Sequence, residues 1–120
     1  MMNIEDFRTY CLQKKGVTEE LPFDEYTLTY KVAGKIFALT SLRGAFSINL
    51  KCDPEEALLL REQYEAVTAG YHMSKKHWNT IKVDGTIPSS LILSWIDDSY
   101  NLVVAKLPKY KRTDLKNASH

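Results

Sequence analysis

Residues 27–51 read TLTYKVAGKIFALTSLRGAFSINLK, and the predicted fold depends on the strand pattern of these residues. Apolar and polar side chains alternate in its first and third segments, which is typical of strands with one buried face. The alternating apolar residues are Leu28, Tyr30, Val32, Phe46, Ile48 and Leu50. The middle segment, residues 35–42, is a short apolar run bounded by Gly34 and Gly44. Three strands joined by such short turns predict an antiparallel meander.

Helices are predicted on both sides of this meander. Asn3 is suited to cap a first helix, and Gly16 marks its end. Asp53 and Pro54 begin a second helix, because aspartate accepts from free amides and proline loses no hydrogen bond at the first helical position. Between the first helix and the meander, the proline and the carboxylates of residues 19–25 argue against a regular element. We expect these carboxylates to be solvated.

The second half of the chain completes the predicted fold. Alternation returns over residues 78–83 and indicates a fourth strand. The apolar residues between Pro88 and Pro108 suit one helix, or two helices joined near Asp97. The polar, basic residues 109–120 are expected to fray. We therefore predict one α+β domain over residues 1–120, with two layers, an antiparallel sheet with helices packed on one face, and the order α-β-β-β-α-β-α.

Composition excludes several classes of protein. With 120 residues, 44% hydrophobic and 26% charged, the chain has the make-up of one globular domain with its own core. Its net charge of +1 argues against a strongly basic surface over the whole domain. The longest apolar stretches fall far short of the about 20 residues that cross a bilayer, so we expect no membrane partner.

The two cysteines bear on compartment and on chemistry. Cys11 and Cys52 are too few for a disulfide scaffold, and the N-terminus lacks a signal peptide, which favours reduced thiols in the cytoplasm. Cys52 is the better nucleophile, because a helix N-terminus lowers a thiol pKa, but Asp53 opposes that shift. Serine-nucleophile and phosphate-loop motifs are missing from the sequence. We expect a monomer without cofactor or enzymatic activity.

The most unusual stretch is residues 70–80, GYHMSKKHWNT, which mixes cations with aromatic side chains. Such a mixture can grip phosphates or stack on a base or a ligand. The plainer alternatives are a solvated turn for the lysine pair and a core position for Trp78. His72 and His77 are five residues apart, which misses the spacing of zinc-binding helices, so we expect no metal.

Further motifs accompany this stretch along the chain. They are LKCDPE at residues 50–55, Asp84-Gly85, Pro88, Ser99-Tyr100 and Leu107-Pro108. Together with YHMSKKHWNT at residues 71–80, this order of motifs resembles the MmcQ/YjbR family over nearly the whole chain. Ser74 departs from the family pattern, where asparagine is expected. The resemblance implies a CyaY-like fold, also called secretion-chaperone-like, and a predicted DNA-binding function with a double-wing arrangement.

Charge is polarised along the sequence in a way that suits this function. Residues 1–69 contain eight basic and eleven acidic residues, net −3, whereas residues 70–120 contain eight and four, net +4. The first hypothesis is therefore a DNA-binding protein that contacts mainly phosphates through a local basic face. The residues assigned to it are His72, Lys75, Lys76, His77, Trp78, Lys82, Lys109, Lys111 and Arg112, with Arg43 as a wing contact at a hairpin tip.

The alternative is a small-ligand or protein-binding module. In this hypothesis His72, His77 and Trp78 line a cleft, since aromatic side chains are frequent in pockets and interfaces. An enzyme would need one of these histidines paired with a carboxylate, and the sequence does not indicate such a pair. The sequence also lacks a recognition-helix signature, so base-specific reading of DNA is not predicted.

Overall fold

The computed structural model describes residues 1–70 and 74–118, and in them it contains four helices and six strands. The helices are α1 (Ile4–Leu12), α2 (Pro54–Gln63), α3 (Ser89–Ala105) and α4 (Lys109–Asn117). The strands are β1 (Val17–Glu20), β2 (Thr27–Val32), β3 (Lys35–Ser41), β4 (Ser47–Lys51), β5 (Val67–Ala69) and β6 (Trp78–Lys82). Within the described ranges, no helix is both long and apolar enough to span a bilayer.

The strands form one antiparallel sheet in the order β1-β2-β3-β4-β6-β5. The predicted meander is β2, β3 and β4, and its register pairs Tyr30 with Ala38 and Thr40 with Ile48. Helix α3 packs across β3 and β4, whereas α1 lies against β1 and α2 against β5 and β6. The predicted α+β fold, with helices on one face of an antiparallel sheet, is confirmed.

The core lies between the sheet and the helices. Its fully buried members include Phe7 of α1, Phe37 of β3, and Ile92 and Ile96 of α3. Phe7 meets Tyr30 edge to face, with ring centroids 5.3 Å apart, an arrangement that aromatic pairs prefer. Burial of these side chains removes apolar area from water, which is the main term that holds α1 and α3 on the sheet.

Strand β1 contradicts the expectation that residues 19–25 lack a regular element. In the register of the β1–β2 pair, Glu19 stands opposite Tyr30, on the side that the helices cover. Its carboxylate accepts from Nε and Nη2 of Arg8 at 2.8 and 2.9 Å and from the Tyr30 hydroxyl at 2.6 Å. The expectation of a solvated carboxylate is therefore wrong for Glu19. In a half-buried strand, an apolar residue is expected at this inward position, but here it is a charged one. The sequence pattern therefore did not indicate β1.

The last part of the chain also differs from expectation, because residues 109–117 form helix α4 instead of a frayed tail. This polar helix is anchored by Leu115, whose side chain packs directly on Gly16 at a backbone φ of +72°. The ammonium group of Lys15 donates to the carbonyl of Lys116 at 2.8 Å. Tertiary contacts therefore stabilise helix α4, since a short helix with a polar sequence is only marginally stable in water on its own.

Helix α3 resolves the alternative left open for residues 88–108. It runs without a break through Asp97 and ends at Ala105, so the second helix begins only after Pro108. The Asp97 carboxylate accepts from the Tyr10 hydroxyl at 2.9 Å and from the Lys14 ammonium. These partners satisfy the carboxylate in the middle of the helix. The predicted element order lacked β1, β5 and α4.

Candidate functional site

Strand directions decide which loops of this protein lie together. Strand β4 runs antiparallel to β6, so that Lys51 at its end lies opposite Trp78 at the beginning of β6. The turn between β2 and β3 lies at the same end of the sheet, because the β3–β4 pair is also antiparallel. Ser99 ties the second half of α3 to this end, since its hydroxyl donates to the Phe37 carbonyl and accepts from the Lys51 amide.

Most of the basic residues lie at this end of the sheet. The α1–β1 turn, the β2–β3 turn, the end of β4, the turn before β6, the end of α3 and the whole of α4 meet here. These segments carry eleven of the sixteen lysines and arginines. We call this surface the basic end, and it consists of Lys14, Lys15, Lys35, Lys51, Lys75, Lys76, Lys106, Lys109, Lys111, Arg112 and Lys116. Among them, Lys14 is mostly buried and paired with Asp97.

The middle of the basic end shows mutual repulsion between lysines. Lys51 has a pKa below the ordinary lysine value, first because it is partly buried and then because Lys106 and Lys35 stand near it. Like charges and loss of solvent both disfavour the protonated form. An anion beside these three side chains would relieve the repulsion, so the basic end is suited to bind one.

The turn that carries Lys75 and Lys76 is held by backbone contacts. The Cys52 amide donates to the His77 carbonyl at 2.7 Å, which joins the turn to the end of β4. The Arg61 guanidinium of α2 donates to the Lys75 carbonyl and, at 2.7 Å, to the side-chain oxygen of Asn79. Both lysine side chains are exposed, so a fixed turn presents two cations to solvent. His72 lies outside the described residues.

Trp78 is buried, with 7% of its surface exposed, and is therefore not a platform for stacking. Its neighbour in space is Gly70, whose amide donates to the Trp78 carbonyl at 2.7 Å. A Cβ at position 70 would lie 2.6 Å from the Trp78 Cβ, so only glycine fits there. The core interpretation of Trp78 is the one that matches this burial, and His77 beside it is half-buried.

Arg43 and Lys82 lie at the other end of the sheet. Lys82 stands opposite Ser47 at the beginning of β4, while Arg43 is in the β3–β4 hairpin and places its guanidinium 3.8 Å above the Tyr26 ring. The structure therefore does not unite these two residues with the other assigned cations. It does bring Lys75, Lys76, Lys109, Lys111 and Arg112 to one end, together with Lys35 and Lys51, which the sequence hypothesis had not assigned.

A cavity of about 380 Å³ opens between α2, α3 and the sheet, on the covered side of β4 and β6. Apolar side chains form its walls, namely Leu50, Leu60, Ile81, Trp95 and Leu102. Polar groups from the start of α2 and the middle of α3 surround its mouth. Sequence reasoning missed this cavity, because α2 and α3 are separate in sequence and nothing local indicates that they leave a gap.

Cys52 lies at the mouth of this cavity, immediately before the α2 cap Asp53. Its pKa is raised to about 11, first by burial and then by the carboxylates of Glu56, Asp53 and Asp98. The opposing effect of Asp53 that the sequence predicted is thus present, second to burial and Glu56. At neutral pH this thiol is protonated and a poor nucleophile. Because all three carboxylates contribute to this pKa shift, all three lie near the Cys52 thiol.

Comparisons with known proteins agree with this fold. A protein-family model described as YjbR matches residues 12–102. The chain is 43% identical over 103 residues to the uncharacterized protein YbdF of Escherichia coli O157:H7, across 79% of this chain and 84% of that protein. It is 35% identical over 112 residues to the uncharacterized protein YjbR of Escherichia coli strain K12, across 92% and 95%.

A solved structure extends the similarity to three dimensions. The crystal structure of Deinococcus radiodurans protein DR2400, domain DUF419, superposes with a TM-score of 0.91 at 34% identity, over 100% of this chain and 96% of that one. The resemblance found in the sequence motifs is thus confirmed by a family model across most of the chain and by relatives of nearly equal length. This chain therefore belongs to the YjbR family.

Proposed function

We propose that this protein binds duplex DNA, mainly through phosphates, at the basic end. One observation carries the proposal: eleven of sixteen basic residues, scattered over the sequence from Lys14 to Lys116, lie on segments that meet at one end of the sheet. Neutralising phosphates with such cations releases counterions from DNA, which is the main source of non-specific affinity. The net charge of +1 understates this local charge.

The dimensions of the basic end suit a duplex. From β1 to β6 the sheet spans four strand spacings, or about 19 Å at about 4.8 Å each. The major groove of DNA is about 12 Å wide, so cations at both sides of the basic end reach phosphates on both strands. Helix α4 is anchored beside β1 through Leu115 and Gly16, and its Lys109 and Arg112 are exposed.

The proposed contacts carry little sequence information. Lysines dominate the basic end, and a lysine ammonium is a point charge that pairs with phosphate without reading bases. The protein is accordingly proposed to be a binding protein, active as a monomer in the cytoplasm, that has no catalytic role and no preferred DNA sequence. The module with His77 and Trp78 as its contact residues is the weaker hypothesis, because Trp78 is buried.

Two matched double variants test the proposal. Lys75→Ala with Lys76→Ala removes two exposed cations from the basic end, whereas Arg43→Ala with Lys82→Ala removes two exposed cations from the other end. Fluorescence anisotropy with a labelled random duplex, titrated at several salt concentrations, measures affinity for each. We expect the first pair to weaken binding and to reduce the slope of log K against log salt by about 1.8, at about 0.9 for each phosphate contact.

The same titrations give the outcomes that overturn the proposal. The proposal is wrong if the wild-type protein does not bind duplex DNA at low salt. Equal losses in the two double variants contradict the assignment to the basic end, because the net charge changes equally in both. Circular dichroism of each variant confirms that folding is unaffected.

A further inference from the structure

We infer that the cavity between α2 and α3 is a second binding site, for a small organic cation that has an apolar body and an amine head. This inference goes beyond the proposed function, because it concerns a cavity beside the basic end, with only Lys51 in common, and a ligand of opposite charge to DNA. The cavity, at about 380 Å³, falls within the range of about 300–1,000 Å³ that is typical of small-molecule sites.

The apolar side chains that line the cavity indicate that the body of the ligand is apolar. Leu50 and Ile81 of the sheet form the floor, and Leu60 of α2 and Trp95 of α3 stand at the two sides. A water molecule needs polar partners, and these four side chains offer only the Trp95 indole N–H. An apolar occupant of this space would displace such water and gain its hydrophobic transfer energy.

The positive head follows from the mouth of the cavity. Of the described residues that line the cavity, Asp53, Glu56 and Asp98 carry carboxylates, and Lys51 carries the one ammonium group. Asp53 and Glu56 come from α2, while Asp98 comes from α3 across the opening, so the negative charge surrounds the mouth. The raised pKa of Cys52 is consistent with this placement, because burial raises it first and the three nearby carboxylates raise it further.

The charge of the mouth discriminates between ligands of the same shape. Near a protein surface, two unit charges 4 Å apart interact by enough to change affinity more than tenfold. A primary amine is therefore favoured over the neutral alcohol, and a carboxylate is rejected. The side chain of Asn101, exposed at the mouth, supplies a carbonyl oxygen that can accept a hydrogen bond from an ammonium group.

The probes are 3-phenylpropylamine, 3-phenylpropanol and 3-phenylpropanoate, which share one apolar body and differ in charge. Titration calorimetry at neutral pH measures binding, and mass spectrometry of the Cys52 peptide measures the rate of alkylation by iodoacetamide. We expect the amine to bind at least about tenfold more tightly than the alcohol and to slow alkylation of Cys52, and we expect no binding of the carboxylate.

A pair of charge variants tests how the carboxylates at the mouth contribute to affinity, separately from the apolar walls. Glu56→Gln with Asp98→Asn should reduce the affinity for the amine to that for the alcohol. Glu62→Gln with Glu65→Gln removes two exposed carboxylates near the other end of α2, outside the cavity lining, and should leave the amine affinity unchanged. Leu102→Trp should fill the cavity and abolish binding of both, with the melting temperature as a check on folding.

Four results overturn the inference, and the first three concern the probes and variants above. They are equal binding of amine and carboxylate, equal effects of the two charge variants, and amine binding that neither protects Cys52 nor responds to Leu102→Trp. Capture of a basic side chain of a protein partner, with no affinity for the free amine, is a fourth outcome that contradicts it. None of these results depends on DNA, so failure of this inference and failure of the proposed function are distinguishable.

Discussion

The two ends of the sheet consist of the same six strands, yet basic residues prevail at one end and acidic residues at the other. At the basic end, eleven lysines and arginines outnumber the carboxylates of Asp53, Glu55, Glu56, Asp98 and Asp114. At the other end lie the start of α1, the β1–β2 loop, the end of α2 and the turn after β6, which contribute Glu5, Asp6, Asp24, Glu25, Glu62, Glu65 and Asp84. A net charge near zero thus conceals a polarised molecule, and the sum of charges is a poor guide to binding.

The largest expected effect is on DNA binding and comes from charge reversal at the basic end. Lys75→Glu with Lys76→Glu replaces two phosphate contacts by two repulsions, so we expect affinity for a duplex to fall by at least about 100-fold at low salt. Arg43→Glu with Lys82→Glu makes the same change at the other end, and we expect less than about a threefold loss. Anisotropy titrations compare the two, and similar losses would mean that the polarity does not matter.

Two glycines, one at each end of the sheet, allow the ends to be compared by their effect on stability. Gly16 and Gly44 both have a backbone φ of +72°, so alanine at either position costs about 1 kcal/mol of backbone strain. A Cβ at Gly16 also collides with Leu115 of α4, whereas nothing lies within 4 Å of one at Gly44. We expect Gly16→Ala to lower the free energy of unfolding by about 2 kcal/mol more than Gly44→Ala, as overpacked sites do.

Urea denaturation measures the two free energies of unfolding, and duplex affinity is the second readout. Release of α4 by Gly16→Ala should weaken DNA binding as well, because Lys109 and Arg112 lose their place at the basic end. Equal destabilisation by the two alanines would show that α4 is not docked on Gly16.

Substitution of the two glutamates of β1 has a smaller effect on the free energy of unfolding, and this effect depends on pH. The pKa of Glu19 lies below its ordinary value, mainly because of its hydrogen bond with Arg8, whereas exposed Glu20 has one ion pair at 3.5 Å with Lys31. We expect Glu19→Gln to cost about 2 kcal/mol at pH 7 and Glu20→Gln less than about 0.5 kcal/mol. Urea denaturation of both variants provides the measurement.

The sign of the pH dependence follows from the lowered pKa. An acid that binds its proton less readily when folded stabilises the protein above the ordinary glutamate pKa of about 4.3 and loses that contribution as the pH falls through the folded value. The difference in stability between wild type and Glu19→Gln should therefore shrink below pH 4. A difference that stays constant to pH 3 would contradict the hydrogen-bonded carboxylate.

The smallest effect concerns Cys52, whose pKa is raised first by burial and then by the carboxylates of Glu56, Asp53 and Asp98. With a pKa of about 11, its alkylation by iodoacetamide should rise about tenfold for each pH unit between 7 and 9.5, without a plateau. Glu56→Gln with Asp98→Asn should lower the pKa and speed the reaction at pH 8. A plateau below pH 9 would indicate that the cations of the basic end control this thiol instead.

Much of the fold was predictable because its strands alternate and its helices are capped. The meander from Leu28 to Leu50 and the α2 start at Asp53 follow from side-chain period and capping chemistry alone. Strand β1 was not predictable, because Glu19 fills an inward position through its contacts with Arg8 and Tyr30. Helix α4 was not predictable either, because it depends on tertiary contacts, of Leu115 with Gly16 and of Lys15 with the Lys116 carbonyl.

The candidate site was predictable only in part. The basic charge of the second half of the chain indicated Lys75, Lys76 and the α4 cations. Lys35 and Lys51 belong to the acidic first half and join the others only through strand direction. The same strand direction places Arg43 and Lys82 at the other end of the sheet, away from the other assigned cations. No local pattern in the sequence indicates this separation. The cavity is a product of how α2 and α3 sit on the sheet, so it has no signature in the sequence.

Hydrogen exchange of the protein with and without a duplex shows which end of the sheet binds DNA. If the basic end binds it, DNA slows amide exchange in α4, in the β2–β3 turn and in residues 74–77, while exchange in the β3–β4 hairpin around Arg43 stays unchanged. Slowed exchange at that hairpin and at Lys82, with the basic end unaffected, would contradict binding at the basic end.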